Sequence, residues 1–197
     1  MIKPAEIAGI ILSAGASKRM GSPKWKLKIG GISFLDRILN TFRQAGIRNI
    51  YVVFRKMNQY PEGDFIRSIN PDPDRGQLSS LKTALDTIPS DVPFLMHLID
   101  RPLISASTIQ QLINGFDGEK IAIPAFEKRK GHPVLFPPGM RDIIRTADEN
   151  STIRSCIDSC AKGVRIVEAP DEKILWNIDT PEAFRKYENI LNSMPDA

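Results

Sequence analysis

The sequence predicts an α/β fold built on a mostly parallel twisted sheet, and three observations carry that expectation. Five apolar runs, at 7–12, 50–54, 93–99, 121–125 and 165–169, recur along 197 residues. Several are apolar without a break, as a strand covered by helices on both faces must be. Segments whose apolar residues return at helical spacing separate them, and strand alternating with helix marks an open sheet. The length suits a single domain over 1–197 with a large core.

The run at 7–12 breaks at once into small residues, so the chain leaves the sheet after Leu12. Phe34, Leu35, Ile38, Leu39, Phe42 and Ala45 then keep one apolar face, with Ser33 where an N-cap belongs and Gly46 where the helix must end. Helices at 78–88, 107–116, 153–161 and 181–191 follow from the same pattern. The turn-rich Asn70-Pro71-Asp72-Pro73-Asp74-Arg75-Gly76 opens the first of these. Residues 126–138 read as a small hairpin with Glu127-Lys128-Arg129-Lys130-Gly131 at its tip, and 192–197 as a frayed tail.

Charge and cysteine usage exclude more than they select. The 27 Lys and Arg exceed the 23 Asp and Glu by a formal +4, and they are scattered from Lys3 to Lys186 rather than gathered in a stripe. Such a surface favours small anions slightly, and with three Tyr and two Trp as stacking platforms no nucleic-acid partner is expected. No run approaches the ~18 apolar residues of a membrane helix. The start Met1-Ile2-Lys3-Pro4-Ala5-Glu6 has no signal-peptide core, so a cytoplasmic protein is expected. Cys156 and Cys160, one helical turn apart with no further Cys or His beside them, read as packing residues.

The most informative segment is Ala8-Gly9-Ile10-Ile11-Leu12-Ser13-Ala14-Gly15-Ala16-Ser17-Lys18-Arg19-Met20-Gly21-Ser22-Pro23-Lys24. Small residues after a strand let backbone N–H groups approach an anion, while Lys18, Arg19 and Lys24 add charge; a chain grips a polyphosphate in this way. It is no Walker loop, because five residues separate Gly15 from Gly21 and Ser22 stands where the lysine should be. Ser17 in the second glycine position also excludes the dinucleotide fingerprint. The segment resembles the opening signature Leu-Ala-Ala-Gly-x-Ser-x-Arg-Met-Gly-x-x-Lys of the MobA-like NTP transferase family and its relatives. These include molybdenum-cofactor guanylyl- and cytidylyltransferases and sugar-phosphate nucleotidyltransferases. Leu12, Ala14, Gly15, Ser17, Arg19, Met20, Gly21 and Lys24 match; Ser13 is small for small.

Four later segments extend the resemblance in the family's order. Asp100 and Pro102 match Gly-Asp-x-Pro, whose Asp holds Mg²⁺, while Ile99 replaces the Gly and narrows the nucleotide's approach. A carboxylate ending an apolar strand needs a cation in any case, unless it caps the turn before a helix at Ser105. Asn177-Ile178-Asp179-Thr180-Pro181-Glu182 resembles Asp-x-Asp-Thr-Pro-Glu, which makes Asp179 a second metal ligand; Asp179 or Thr180 serves equally well as a helix cap. Gly76, Ser80 and Leu81 fit the base-pocket segment Gly-x-x-x-Ser-Leu, and a hydroxyl there also suits a helix start. Lys130-Gly131-His132-Pro133-Val134-Leu135-Phe136 resembles the cytidylyltransferase segment Arg-Gly-His-Pro-Val-Leu-Phe, and Arg154 keeps the Arg of a later Gly-x-Arg. His132 reads equally as structural or functional, and Lys128, Arg129 and Lys130 as a phosphate receiver or a solvated tip.

The resemblance implies a Rossmann-like three-layer α/β/α domain of nucleotide-diphospho-sugar transferase type. It also implies attack by an acceptor phosphate on the α-phosphorus of a nucleoside triphosphate, with pyrophosphate leaving. Leu12, Ser13, Ala14, Gly15, Ser17, Lys18, Gly21, Gly76 and Ser80 would bind the nucleotide, Arg19 its outer phosphates, and Lys24 the α-phosphate; Asp100 and Asp179 would hold Mg²⁺. Lys130, His132 and Arg154 would meet the acceptor. Ala14-Gly15, where the guanylyl branch has Gly-Gly, favours CTP and a molybdenum-pterin phosphate, with transient molybdoenzyme or cofactor-biosynthesis partners. The alternatives are GTP, another acceptor such as a sugar phosphate, phosphocholine or phospholactate, and a non-catalytic nucleotide-binding module.

Overall fold

The computed structural model describes residues 2–193. In chain order its elements are β1 (Ala8–Leu12), β2 (Lys28–Ile29), β3 (Ile32–Ser33), α1 (Phe34–Gln44), β4 (Asn49–Arg55), β5 (Ile66–Asn70), α2 (Gln77–Leu85) and β6 (Phe94–Leu98). There follow α3 (Ala106–Asn114), β7 (Ile121–Phe126), β8 (Arg129–Lys130), β9 (Val134–Phe136), α4 (Met140–Thr146), α5 (Ile153–Asp158), β10 (Val164–Glu168) and α6 (Pro181–Ser193). The main sheet runs β10-β7-β9-β6-β1-β4-β5, with β8 on β7, while β2 and β3 form a separate ribbon. β1 lies parallel to β4 and β6, as do β5 to β4 and β10 to β7; β9 alone runs against both neighbours, β6 and β7.

Strand periodicity splits the core in two. Ile7 and Ile11 point to the face that carries α1, α3 and α6, whereas Ala8, Ile10 and Leu12 point to the face of α2, α4 and α5. The unbroken apolar runs are therefore strands buried on both sides. Gly9 lets α1 come close, since a Cβ there would lie 2.7 Å from the Phe42 ring. The expected caps form: Ser33 Oγ accepts from Asp36 N at 3.0 Å and Ser105 Oγ from Thr108 N at 3.3 Å.

The differences from the sequence expectation have local causes. β5 carries no apolar run, because its buried residues are Ser68 and Asn70 and its Ile66 and Ile69 are exposed at the sheet edge. The hairpin at 126–138 is smaller than expected, turning over Glu127 and Lys128 with φ of 47° and 66°. Val134, Leu135 and Phe136 instead enter the main sheet, where they are 4%, 0% and 0% exposed. α2 stops at Leu85, not at 88, because the Arg141 guanidinium from α4 takes the carbonyls of Leu85, Ile88 and Pro89. α5 also ends early, leaving the free Cys160 beyond it but still packed with buried Cys156 against the second core. α6 runs on to Ser193, into the segment expected to fray; 194–197 lie outside the described residues.

This topology brings the C-terminal ends of β1 and β6 side by side, with the turn before β9 nearby. Ligands of open α/β sheets bind beyond such strand ends.

Candidate active site

The loop after β1 is zipped at its base and open above. Leu12 O accepts from Ile99 N at 3.2 Å and Ser13 N donates to Val53 O at 2.8 Å, which uses up the backbone groups at the strand end. Ala14 and Gly15 then line a cleft of about 150 Å³ with Leu12, Ser17, Lys24, Gly76, Ser80 and Asp100. Gly21 has φ 64° and Gly76 φ 89°, so both turns require a residue tolerant of left-handed backbone. Ser17 Oγ accepts from Lys24 N at 3.2 Å and closes the loop on itself. Ser80 does not cap α2; its Oγ accepts from Asn70 Nδ2 at 3.0 Å and it faces the cleft.

Not every expected nucleotide contact lines this cleft. Ser13, Lys18 and Gly21 line a neighbouring cavity on the Trp25 side of the loop, while Arg19 shares a third with Lys24 and Asp179. Trp25 packs edge-on against Phe54 at 6.4 Å between ring centres. Ile99 is 6% exposed; most of it belongs to the core, and the rest walls the cleft.

Lys24 organises the charges. Its Nζ donates to Asp100 Oδ2 at 3.1 Å and also to Asp179 Oδ1, so one ammonium stands between two carboxylates far apart in sequence. Asn177 Nδ2 donates to Asp179 Oδ2 at 2.9 Å, and the exposed Arg19 guanidinium lies 3.5 Å from the same oxygen. Ile178 N donates to Asp100 O at 2.8 Å, which joins the two carboxylate segments directly. Burial pushes the Asp100 carboxyl above its usual range despite Lys24. Burial acts upward on Asp179 too, but hydrogen bonds from Lys24 and Asn177 outweigh it and hold that group low. The cap of α6 falls to Thr180, whose Oγ1 accepts from Ala183 N at 3.2 Å, which leaves Asp179 free for the cleft.

Among the described residues no three His, Cys, Asp or Glu side chains gather as a metal cage. Two carboxylates nevertheless fit a hard cation that takes its remaining ligands from phosphate and water. Asp100 Oδ1 is buried without a hydrogen-bond partner, as an oxygen awaiting a cation would be.

A second cavity, of about 280 Å³, lies next door; Gln77 borders both. Lys130, His132 and Arg154 do come together on its wall, joined by Arg101, while Lys128 and Arg129 are exposed residues of the hairpin. Gly131 is fixed by packing, because a Cβ would meet Ile174 O at 2.5 Å. That carbonyl also accepts from His132 N at 3.2 Å and Arg101 Nη1 at 3.0 Å. His97 Nε2 donates to Arg101 O at 2.9 Å, and its ring centre lies 6.5 Å from that of His132. Burial lowers His97 to about 4 and His132 to about 3, so both are neutral around pH 7. His132 therefore offers hydrogen bonds here, not charge.

Arg101, His97 and Ile174 escaped the sequence reading. His97 had a signal, being the one polar residue inside the apolar run of β6. Arg101 had a weaker one, its place beside Asp100. Ile174 acts through its carbonyl, which no side-chain pattern reveals.

Comparison with known proteins places the chain in a family. Residues 9–165 match the family model described as the MobA-like NTP transferase domain. A bifunctional protein GlmU from Wolbachia sp. subsp. Brugia malayi (strain TRS) is 31% identical over 153 residues, covering 73% of this chain; the chain spans only 38% of that protein. A molybdenum cofactor guanylyltransferase from Rhizobium meliloti (strain 1021) is 28% identical over 207 residues, covering 95% of this chain and 93% of the relative. The solved structure of Rv0371c from Mycobacterium tuberculosis H37Rv, a complex with manganese, has the same fold, with TM-score 0.74 and 20% identity over 95% of this chain and 99% of that one. No described helix is long and apolar enough to cross a membrane. The chain belongs to the MobA-like NTP transferase family.

Proposed function

We propose that this protein transfers a nucleoside monophosphate from a nucleoside triphosphate to a phosphorylated small molecule. The observation that carries the reading is Lys24 held between Asp100 and Asp179 at the open end of the β1 loop. An oxygen of the acceptor phosphate attacks the α-phosphorus, the bond from that phosphorus to the bridging oxygen breaks, and pyrophosphate leaves. Because the attacking oxygen is already anionic, no base is required, and the protein's task is to position two anions and offset growing charge. Backbone N–H groups around Ala14 and Gly15 receive the nucleotide phosphates. Lys24, a compact point charge, stabilises the α-phosphoryl oxygens, and the exposed Arg19 steadies the departing pyrophosphate. Asp100 and Asp179 would hold Mg²⁺, which when bound neutralises phosphate charge. Lys130, His132 and Arg154 border the cavity assigned to the acceptor.

For the base we favour CTP. Ala14 ahead of Gly15, the Gly131-His132-Pro133 turn and the cleft narrowed by Ile99 support the smaller base. GTP is the second reading, supported by the R. meliloti relative's name and near-complete coverage. Melting temperatures with CTP, GTP, UTP and ATP, each with and without Mg²⁺, test both. Mg²⁺-dependent stabilisation by CTP is expected; a preference for GTP moves the assignment to the guanylyl reaction, and stabilisation by none of the four overturns the proposal.

A further inference from the structure

We propose that Arg101 is the anion anchor of the second substrate, and that the substrate it anchors carries its phosphate on an apolar body. The proposal rests on nucleotidyl transfer only in giving the second cavity an acceptor; the anion site itself stands on Arg101.

Of the other cations nearby, Lys130 on the cavity wall is exposed to solvent and the rest are engaged. Lys24 is shared by Asp100 and Asp179, Arg19 is paired with Asp179, and Arg154, whose side chain is 89% exposed, lies 3.9 Å from Asp158. Arg101 is half-buried and makes no ion pair among the described residues. Among the described residues one of its five N–H donors is used, on Nη1, which goes to Ile174 O at 3.0 Å, and its buried Nε has no partner. A guanidinium withdrawn from water without an anion is costly unless one arrives. Asp100 and Asp179 act on it electrostatically, but neither makes an ion pair with it among the described residues. His97 and His132 are neutral, Asp100 and Asp179 are held by Lys24, and Tyr187 of α6 is a phenol. The planar fork matches a phosphate bidentately, which a lysine cannot do.

Placement makes the anchor useful. Arg101 follows Asp100 directly, so an anion held on its outer N–H groups lies at the boundary between the cavity and the cleft. Met96, Ile123, Val134, Ile153 and Ile157 form an apolar stretch of the wall, alongside the polar Gln77, Lys130, His132, Arg154 and Asp158. That apolar stretch suits an apolar body.

Calorimetric titration of the full chain with 1-naphthyl phosphate, glucose 1-phosphate and inorganic phosphate tests this without knowledge of the natural acceptor. The wild type is expected to bind 1-naphthyl phosphate most tightly, Arg101→Met to lose about tenfold or more, and Arg165→Gln, at the exposed edge strand away from the cavity, to lose less than about twofold. Binding of CTP and GTP with Mg²⁺ should change less than about twofold in Arg101→Met. Unchanged naphthyl phosphate affinity in Arg101→Met overturns the anchor, and a wild-type preference for glucose 1-phosphate overturns the apolar body. Arg101-dependent naphthyl phosphate binding without any nucleotide binding sinks the donor reading and leaves the anchor standing. Should Arg101→Met not fold, phenylglyoxal labelling of Arg101 in the wild type decides, since 1-naphthyl phosphate must slow it.

Discussion

The loop at 13–24 and the turn around Gly131 border adjoining cavities, yet they are held in place differently. In the loop Gly15, Ala16, Lys18, Arg19 and Gly21 are exposed, and a Cβ on Gly15 would meet nothing within 4 Å. Around the turn Gly131 and Ile174 are buried, and one carbonyl accepts two hydrogen bonds while excluding any side chain at 131. The loop keeps space and cations available for a ligand. The turn fixes a wall before any ligand comes. A contiguous signature can describe the first kind of site, because its parts are neighbours in sequence; the second needs residues 101, 131 and 174 at once.

Four measurements break or sharpen that contrast. The largest effect belongs to the charges of the cleft: Asp100→Asn is expected to lower Mg²⁺-dependent pyrophosphate release by about 10²–10³ with little change in melting temperature. Retention of full activity would remove Asp100 from the chemistry. Gly131→Ala is expected to cost about 1–3 kcal/mol in denaturant unfolding, through the clash with Ile174 O, while Gly15→Ala costs less than about 0.5 kcal/mol. Equal costs would erase the distinction between open loop and packed turn.

The buried histidines give the third test. Both are lowered from 6.5, His97 to about 4 and His132 to about 3, so between those values and 6.5 the unfolded chain binds protons that the folded chain does not. Their stabilising contribution is complete above pH 6.5 and is lost as pH falls toward 4 and 3. Each histidine adds at most about 1.4 kcal/mol per pH unit to that slope, and His132→Gln is expected to flatten it in urea melts across the interval. An unchanged slope would show that His132 is protonated in the fold. The smallest effect separates neighbours: Thr180→Ala should cost about 1 kcal/mol by uncapping α6 and leave metal affinity intact, while Asp179→Asn should do the reverse. Isothermal titration with Mn²⁺ beside urea melts reads both.

Much of the fold was legible because doubly buried strands have to be mostly apolar: β1 and β7 are so throughout, β4 between its ends Asn49 and Arg55, and β6 apart from His97. β5 was not, since at the sheet edge its buried positions are Ser68 and Asn70, satisfied or sheltered by neighbours that no strand pattern displays. β9 was hidden by its length of three residues and by the turn signals before it. In the site, the loop glycines and Lys24 could be named from spacing. The split of duties between Asp179 and Thr180 could not, because both residue types cap helices and only the partners decide. Arg101 lay one residue from a recognised carboxylate, but its lack of an anion is a property of the packed structure.

One reversed strand sets how this architecture can change over time. β7 leaves the sheet at the ligand rim and β9 re-enters from the same rim, so the tip between them is a closed excursion of a few residues with both ends moored. Residues 127–130 can be lengthened, shortened or recharged without shifting the register of any strand that carries the donor machinery. The tip behaves as an exchangeable cassette, free to vary in length and charge while the strand-end loops beside it stay untouched.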